Sequence, residues 1–105
     1  MAHKIREVYI VHHSHTDVGY TDLQEQVIYN QANNIRRAVE LISEGLEKGT
    51  NQKDLKWNCE TWYCVEQFLK AATKEEKKIF FDLVKKNRIG LSANYLNFND
   101  LADCE

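Results

Sequence analysis

Three histidines and one aspartate stand close together near the N-terminus, in the stretch 11–20. His13, His15 and Asp17 are spaced two residues apart, so in an extended segment their side chains point to the same side and can reach one ion. Neutral imidazole and ionised carboxylate suit a catalytic zinc that keeps a position open for substrate. The spacing therefore predicts a zinc site with His15 and Asp17 as ligands, where His13 binds the ion or supports a ligand by hydrogen bonding.

The elements on either side of this stretch decide how it is positioned. Residues 5–12 alternate loosely and are rich in Ile, Val and Tyr, which predicts a first strand that ends near His12. Asp22 with Glu25 resembles a capping box and predicts a helix start, followed by an apolar face over residues 27–46. The stretch would then lie at the carboxyl edge of a strand, where α/β proteins build their sites. The simpler alternative is a loop whose polar residues cap the ends of the strand and the helix.

The rest of the chain continues the alternation of strands and helices. Residues 55–60 predict a second strand, residues 62–72 a helix, and Thr73 with Glu76 a capping box that starts another helix. Residues 88–94 predict a third strand. The order is β-α-β-α-α-β, and right-handed crossovers would make the strands parallel. We therefore expect an α/β fold with three parallel strands. Such a layer leaves an edge strand unpaired, so we also expect self-association through that exposed edge.

Two acidic residues follow predicted strands. Glu60 closes the second strand at the edge that carries the histidines, so it could contact substrate or support a metal ligand. Alternatively, it is a favourable charge at the N-terminus of the next helix. Asp100 follows the third strand and could line the same cleft, although its Asn-rich surroundings are also typical of a simple turn. Trp57 and Trp62 adjoin predicted packing faces, and we expect them to pack in the core.

Composition excludes several classes of protein. The chain has 105 residues, of which 43% are hydrophobic and 29% charged, as in one small globular domain. A formal net charge of -2 gives no basic field for nucleic acid or an anionic membrane. No apolar run approaches the length of a membrane span. Three cysteines without paired spacing (Cys59, Cys64 and Cys104) indicate a reducing compartment, with the first two as packing residues, so the expected location is cytoplasmic.

One segment carries a resemblance to a known family. Residues 13–20, His-Ser-His-Thr-Asp-Val-Gly-Tyr, resemble the N-terminal His-x-His-x-Asp-x-Gly-Trp signature of family 38 α-mannosidases. These enzymes are zinc-dependent retaining glycoside hydrolases with an α/β-barrel catalytic domain. Residues 57–63 look like the family's second strand, which runs into an acidic residue followed by aromatics. Residues 86–91 look like its helix end and third strand, and the three segments come in the family's order.

The resemblance implies zinc ligation by His15 and Asp17 and an α-mannoside-like carbohydrate as substrate. Tyr20 stands where the family has a Trp that packs against the sugar at the metal. In that family an aspartate attacks the anomeric carbon while a second carboxylate acts as acid and then as base. No residue here matches either group. Residues 1–105 are therefore expected to form an N-terminal fragment of a barrel catalytic domain, inactive alone on α-mannosides.

Two other functions remain compatible with the sequence. A different metal-dependent hydrolase would use His13 together with His15 as ligands. A free-standing α/β interaction module would use the histidines only to cap a loop, and zinc would not change its stability. The chain has no proline and stops after a strand-like segment, so we expect it to be a piece of a longer protein.

Overall fold

The computed structural model describes residues 4–19 and 22–96. The elements in chain order are α1 (Gln24–Lys48), a short 3₁₀ turn (Asn51–Asp54), β1 (Trp57–Cys59), α2 (Trp62–Ala71), α3 (Lys74–Lys85) and β2 (Ile89–Leu91). The two strands are parallel, with Trp57 opposite Ile89. The described residues thus form a small, helix-dominated α/β domain with a two-stranded parallel sheet, and the predicted parallel pairing of the second and third strands is confirmed.

The core lies where α1, α2 and α3 meet the inner side of the sheet. Phe68 of α2 and Phe80 of α3 are fully buried, with ring centroids 5.2 Å apart. Ile42 of α1 and Val65 of α2 are also completely buried. The remaining buried members of this core are Ala32, Ile35, Val39, Cys59, Cys64, Leu83 and Ile89. The apolar face predicted for the first helix therefore packs as expected as far as Ile42, whereas Leu46 at its end is 38% exposed.

The predicted first strand is absent. Residues 5–12 form neither helix nor strand, and their backbone link to β1 in the described chain is one hydrogen bond, from Asn58 N–H to the His12 carbonyl at 2.8 Å. Their apolar side chains are each at least 63% exposed: Ile5, Val8, Tyr9, Ile10 and Val11. A strand needs a ladder of hydrogen bonds and a covered face, and a two-stranded sheet supplies too little of either. The described residues thus contain two strands instead of three.

The start of α1 also differs from the prediction. The N-cap residue is Leu23, which makes no side-chain cap. Asp22 Oδ1 accepts a hydrogen bond from the adjacent Leu23 N–H at 2.8 Å, so it does not reach the N–H groups of the first turn. The capping box of Asp22 with Glu25 is therefore wrong, because the helix begins one residue later than that pairing requires.

Both ends of α3 follow from local sequence. The Thr73 hydroxyl accepts from Glu76 N–H at 3.2 Å, and Thr73 N–H donates to the Glu76 carboxylate at 2.7 Å, which confirms the predicted capping box. At the other end Asn87 adopts φ 57°. Its N–H donates to the Val84 carbonyl, while Arg88 N–H donates to the Leu83 carbonyl. These are the paired bonds of a Schellman ending.

The two described cysteines are free thiols in the core, as predicted. Burial raises the pKa of Cys59 to about 12, so this thiol stays protonated at neutral pH. Trp57 is half-buried against the core, whereas Trp62 remains 37% exposed at the start of α2. Cys104 lies outside the described residues. Within residues 4–19 and 22–96, no helix has both the length and the apolar character needed to cross a membrane.

Candidate functional site

The histidine-containing loop is held at the junction between β1 and α2. Glu60 occupies that junction, directly before Thr61, the N-cap of α2. Its Oε1 lies 2.9 Å from His15 Nδ1, and its Oε2 accepts from Thr16 N–H at 2.6 Å. One carboxylate thus contacts both the side chain of His15 and the backbone that follows it. Because the Glu60 side chain is only 19% exposed, these contacts are partly shielded from water.

His15 lies between two carboxylates. Its Nε2 is 3.1 Å from Asp17 Oδ1, on the opposite side of the ring from Glu60. The hydrogen bond to Glu60, the charge of Glu60 and the charge of Asp17 together raise the pKa of His15 above its ordinary value. The ring is 61% exposed and Asp17 is 42% exposed, so a ligand in solution can reach both.

His13 joins the same cluster. Its Nδ1 is 3.6 Å from Glu60 Oε1, and its side chain is 43% exposed. The structure therefore brings together four of the six predicted site residues: His13, His15, Asp17 and Glu60. Tyr20 and Asp100, the other two, lie outside the described residues.

The spacing of His15 and Asp17 suits a shared metal ion. Two atoms that both bind a tetrahedral Zn²⁺ at about 2.0–2.1 Å lie about 3.3 Å apart, and His15 Nε2 and Asp17 Oδ1 are 3.1 Å apart. A carboxylate on Nδ1 is the usual support for a metal-binding imidazole, because it leaves Nε2 to face the ion. In the described part of the chain, no set of three or more His, Cys, Asp or Glu residues has the arrangement of a metal site. The donor set thus fits two ligands, not a complete coordination shell.

Sequence reasoning missed the polar residues beneath the loop. Gln31 and Asn34 of α1 both donate to the loop, and Cys64 of α2 hydrogen-bonds the Thr16 hydroxyl at 3.1 Å. A signal was present, because Gln31 and Asn34 interrupt the apolar face of α1 just before Ile35. Polar residues on the buried face of a helix need partners, and here the loop provides them.

The segment after β2 returns to the same end of the molecule. The carbonyls of Asn94 and Tyr95 accept from Trp62 N–H at 2.8 Å and Tyr63 N–H at 3.0 Å. They satisfy first-turn donors of α2, which has no side-chain cap. The Tyr95 hydroxyl also donates to Glu66 at 2.6 Å. Asn94 and Tyr95, which precede Asp100 in the chain, are thereby held at the N-terminus of α2, close in sequence to Glu60.

No family model, curated protein or solved structure matches this chain.

Proposed function

We propose that this chain supplies the zinc-binding part, and part of the sugar-binding surface, of a retaining glycoside hydrolase similar to α-mannosidases, with an α-mannoside-like carbohydrate as substrate. The observation that carries the proposal is the position of His15 between Asp17 and Glu60, at 3.1 Å and 2.9 Å. The pair His15 and Asp17 offers one nitrogen and one oxygen ligand at a compatible separation, and Glu60 fixes the ring that carries the nitrogen.

The residues divide into two roles under this proposal. His15 Nε2 and Asp17 Oδ1 would hold the zinc, which when bound supplies a Lewis acid for contact with sugar hydroxyls. Glu60 would orient the imidazole through Nδ1 and thereby support a zinc ligand. His13, Tyr20 and Asp100 are proposed on the substrate side, and the exposure of the His13 ring is compatible with that role.

The fold also supports a proposal about the architecture of the catalytic domain to which this chain would belong. β1 and β2 would be adjacent strands of an α/β barrel, joined by α2 and α3, and residues 5–12 would be the neighbouring strand on the other side of β1. The parallel register of β1 and β2 supports this, as does the hydrogen bond from Asn58 N–H to the His12 carbonyl. In this arrangement the loop around His15 and the junction at Glu60 share the carboxyl edge of the sheet.

Zinc binding to the chain tests the proposed site directly. Zinc should raise the melting temperature of the wild-type chain, because an ion that binds only the folded state stabilises it. Asp17→Ala should weaken this effect. Asp54→Ala is the matched control, since Asp54 is an exposed aspartate in the 3₁₀ turn that packs near Gly45. Gln31 contacts the proposed site through the His15 carbonyl. Gly45 lies fourteen residues after Gln31 on α1, about 20 Å along the helix, so Asp54 is far from the site. Equal zinc shifts in all three proteins would refute the site.

Two results of the zinc experiment, extended to His13→Ala, would favour the alternatives. If His13→Ala abolishes the zinc effect and Asp17→Ala does not, the pair His13 and His15 of a different metal-dependent hydrolase is favoured. If zinc leaves the melting temperature of the wild-type chain unchanged, the interaction module without catalysis is favoured.

The chain alone should not hydrolyse an aryl α-mannoside, because none of its residues matches the nucleophile or the acid/base. Turnover that disappears in Asp17→Ala would contradict that expectation.

A further inference from the structure

Gln31 is a buried polar side chain on the apolar face of α1. The residue is only 9% exposed and lies one helical turn from Val27 and one from Ile35, both in the core. An amide in such a position is tolerated when its hydrogen bonds are made within the protein. Its partners therefore indicate why a polar residue stands here.

The amide nitrogen of Gln31 faces the histidine loop. Nε2 donates to the His15 carbonyl at 2.9 Å and makes a longer contact with Ser14 Oγ at 3.4 Å. Asn34 Nδ2, one turn farther along α1, donates to the same Ser14 hydroxyl at 3.1 Å. The first of these bonds fixes the backbone of a proposed zinc ligand from the side of α1.

The orientation of the Gln31 amide follows from the partners at its two ends, the Cys64 thiol and the His15 carbonyl. The Cys64 thiol donates to Gln31 Oε1 in a long contact of 3.8 Å. With its proton used there, Cys64 Sγ can accept from the hydroxyls of Thr16 and Thr61, at 3.1 Å and 3.2 Å. A carbonyl oxygen only accepts, so Nε2 must be the atom that faces His15.

The same peptide group is held from its other side by Glu60. The His15 carbonyl and the Thr16 N–H belong to one planar peptide, and in the trans form they point in opposite directions. Gln31 donates to the carbonyl and Glu60 Oε2 accepts from the N–H. The two bonds together restrict rotation of the peptide that connects His15 to Asp17 through Thr16.

We propose that Gln31 is a positioning residue, which clamps the His15–Thr16 peptide against Glu60 and so sets the relative placement of the His15 and Asp17 side chains. This inference rests on the proposed zinc function for its purpose, but the clamp itself is a property of the folded chain without metal. Gln31 touches neither metal nor substrate and acts through the backbone.

The test compares Gln31→Met with Gln26→Met on the full chain. Methionine has nearly the length of glutamine but cannot make these amide hydrogen bonds. Gln26 is an exposed glutamine of the same helix whose amide donates to Asn30. Two quantities are measured: the dissociation constant of Zn²⁺ by calorimetry, and the hydrogen-exchange protection of the Thr16 amide by NMR in metal-free protein. We expect Gln31→Met to weaken zinc binding about 10- to 100-fold and to lose Thr16 protection, while Gln26→Met changes neither.

Each other result has a defined meaning. Zinc binding and Thr16 protection equal to those of Gln26→Met would overturn the clamp, even if the melting temperature fell, since a merely structural role lowers stability alone. If the wild-type chain binds no zinc and Gln31→Met still loses Thr16 protection, the clamp is upheld and the zinc function is refuted. If Gln31→Met does not fold, Gln31→Glu, which keeps the side-chain length and the acceptor but loses the amide hydrogens, decides by the same two measurements.

Discussion

His15 Nδ1 and Glu60 Oε1 lie 2.9 Å apart, although 45 residues separate them in the chain. This contact attaches a loop without helix or strand to the junction between β1 and α2. Asp17 on the other side of the ring makes His15 an imidazole between two carboxylates. The electrostatics of the candidate site depend on this relationship, and its placement depends on it together with the hydrogen bonds from α1.

Replacing Glu60 should change the titration of His15. The bond to Glu60 is the largest cause of the raised His15 pKa, so Glu60→Gln should move the pKa back toward the ordinary value of 6.5. NMR titration of the His15 ring in metal-free protein measures this. Glu66→Gln is the matched control, because Glu66 is a carboxylate of α2 that contacts Tyr95 and Lys70 instead. The same His15 pKa in both variants would contradict the prediction.

The same pair makes stability depend on pH with a definite sign. A pKa that folding raises gives a stabilising contribution that is complete below the unfolded value and is lost as pH rises through the folded value. The wild-type chain should therefore lose unfolding free energy, relative to Glu60→Gln, as pH rises from below 6.5 to above the folded His15 pKa. Because the ring is mostly exposed, the difference should be small, and urea denaturation at several pH values measures it. A difference that grows with pH would be the wrong sign.

Removing Glu76 should destabilise α3 in a pH-dependent way. Its pKa is lowered by the hydrogen bond from Thr73 N–H and by Arg36, whose Nε lies 2.8 Å from Oε1. The contribution is therefore present above the ordinary pKa of 4.5 and is lost as pH falls through the lowered value. Glu76→Ala should cost about 1 kcal/mol of unfolding free energy at pH 7 and less near pH 3. Glu75→Ala, in the same helical turn but outside the capping box, is the control, and an equal loss at both pH values would contradict the prediction.

Alanine at position 45 should destabilise the chain despite its better helix propensity. Gly45 is buried inside α1, and a Cβ there would meet the backbone of Gln52 and Lys53 in the 3₁₀ turn. Forcing these backbones apart costs about 1–3 kcal/mol, which equals or exceeds the gain of about 1 kcal/mol from replacing glycine in a helix. We expect Gly45→Ala to lower the melting temperature and Glu47→Ala, at an exposed position of the same helix, to leave it nearly unchanged. A Gly45→Ala protein that melts higher would show that the turn can move away at little cost.

The exposed N-terminal segment should mediate self-association. Val8 and Ile10 are 76% and 79% exposed, and they shortly precede His12, whose carbonyl makes the one backbone hydrogen bond to β1 in the described chain. Unpaired edges with apolar side chains attract other chains. Light scattering after size-exclusion chromatography should show a dimer or larger species that dissociates when both residues are changed to Lys. Leu23→Lys, which changes an apolar residue 73% exposed outside this segment, should leave the mass unchanged. A monomeric wild-type chain would refute this prediction.

Local patterns in the sequence determined most of the regular structure. The helix predicted over 62–72 is found at Trp62–Ala71, and the Thr73 and Glu76 box forms as predicted. Both depend on apolar periodicity and on bonds between residues a few positions apart, which the sequence specifies directly. The same locality explains why His15 and Asp17 could be paired from their spacing alone.

Relationships between distant segments were decided only by the tertiary structure. The role of Glu60 was left open between substrate contact, ligand support and helix charge, and the structure shows that its carboxylate contacts the His15 imidazole at 2.9 Å. The hydrogen bonds that Gln31 and Cys64 make to the loop were not predicted, because their partners there lie 16 and 48 residues away in the chain. The first strand failed for a related reason: residues 5–12 have the composition of a strand, but a strand forms only when a partner supplies its hydrogen bonds and covers its face. The sequence by itself therefore determined the helices and the set of candidate site residues. The packing of α1, β1 and α2 decided how those residues meet at the site.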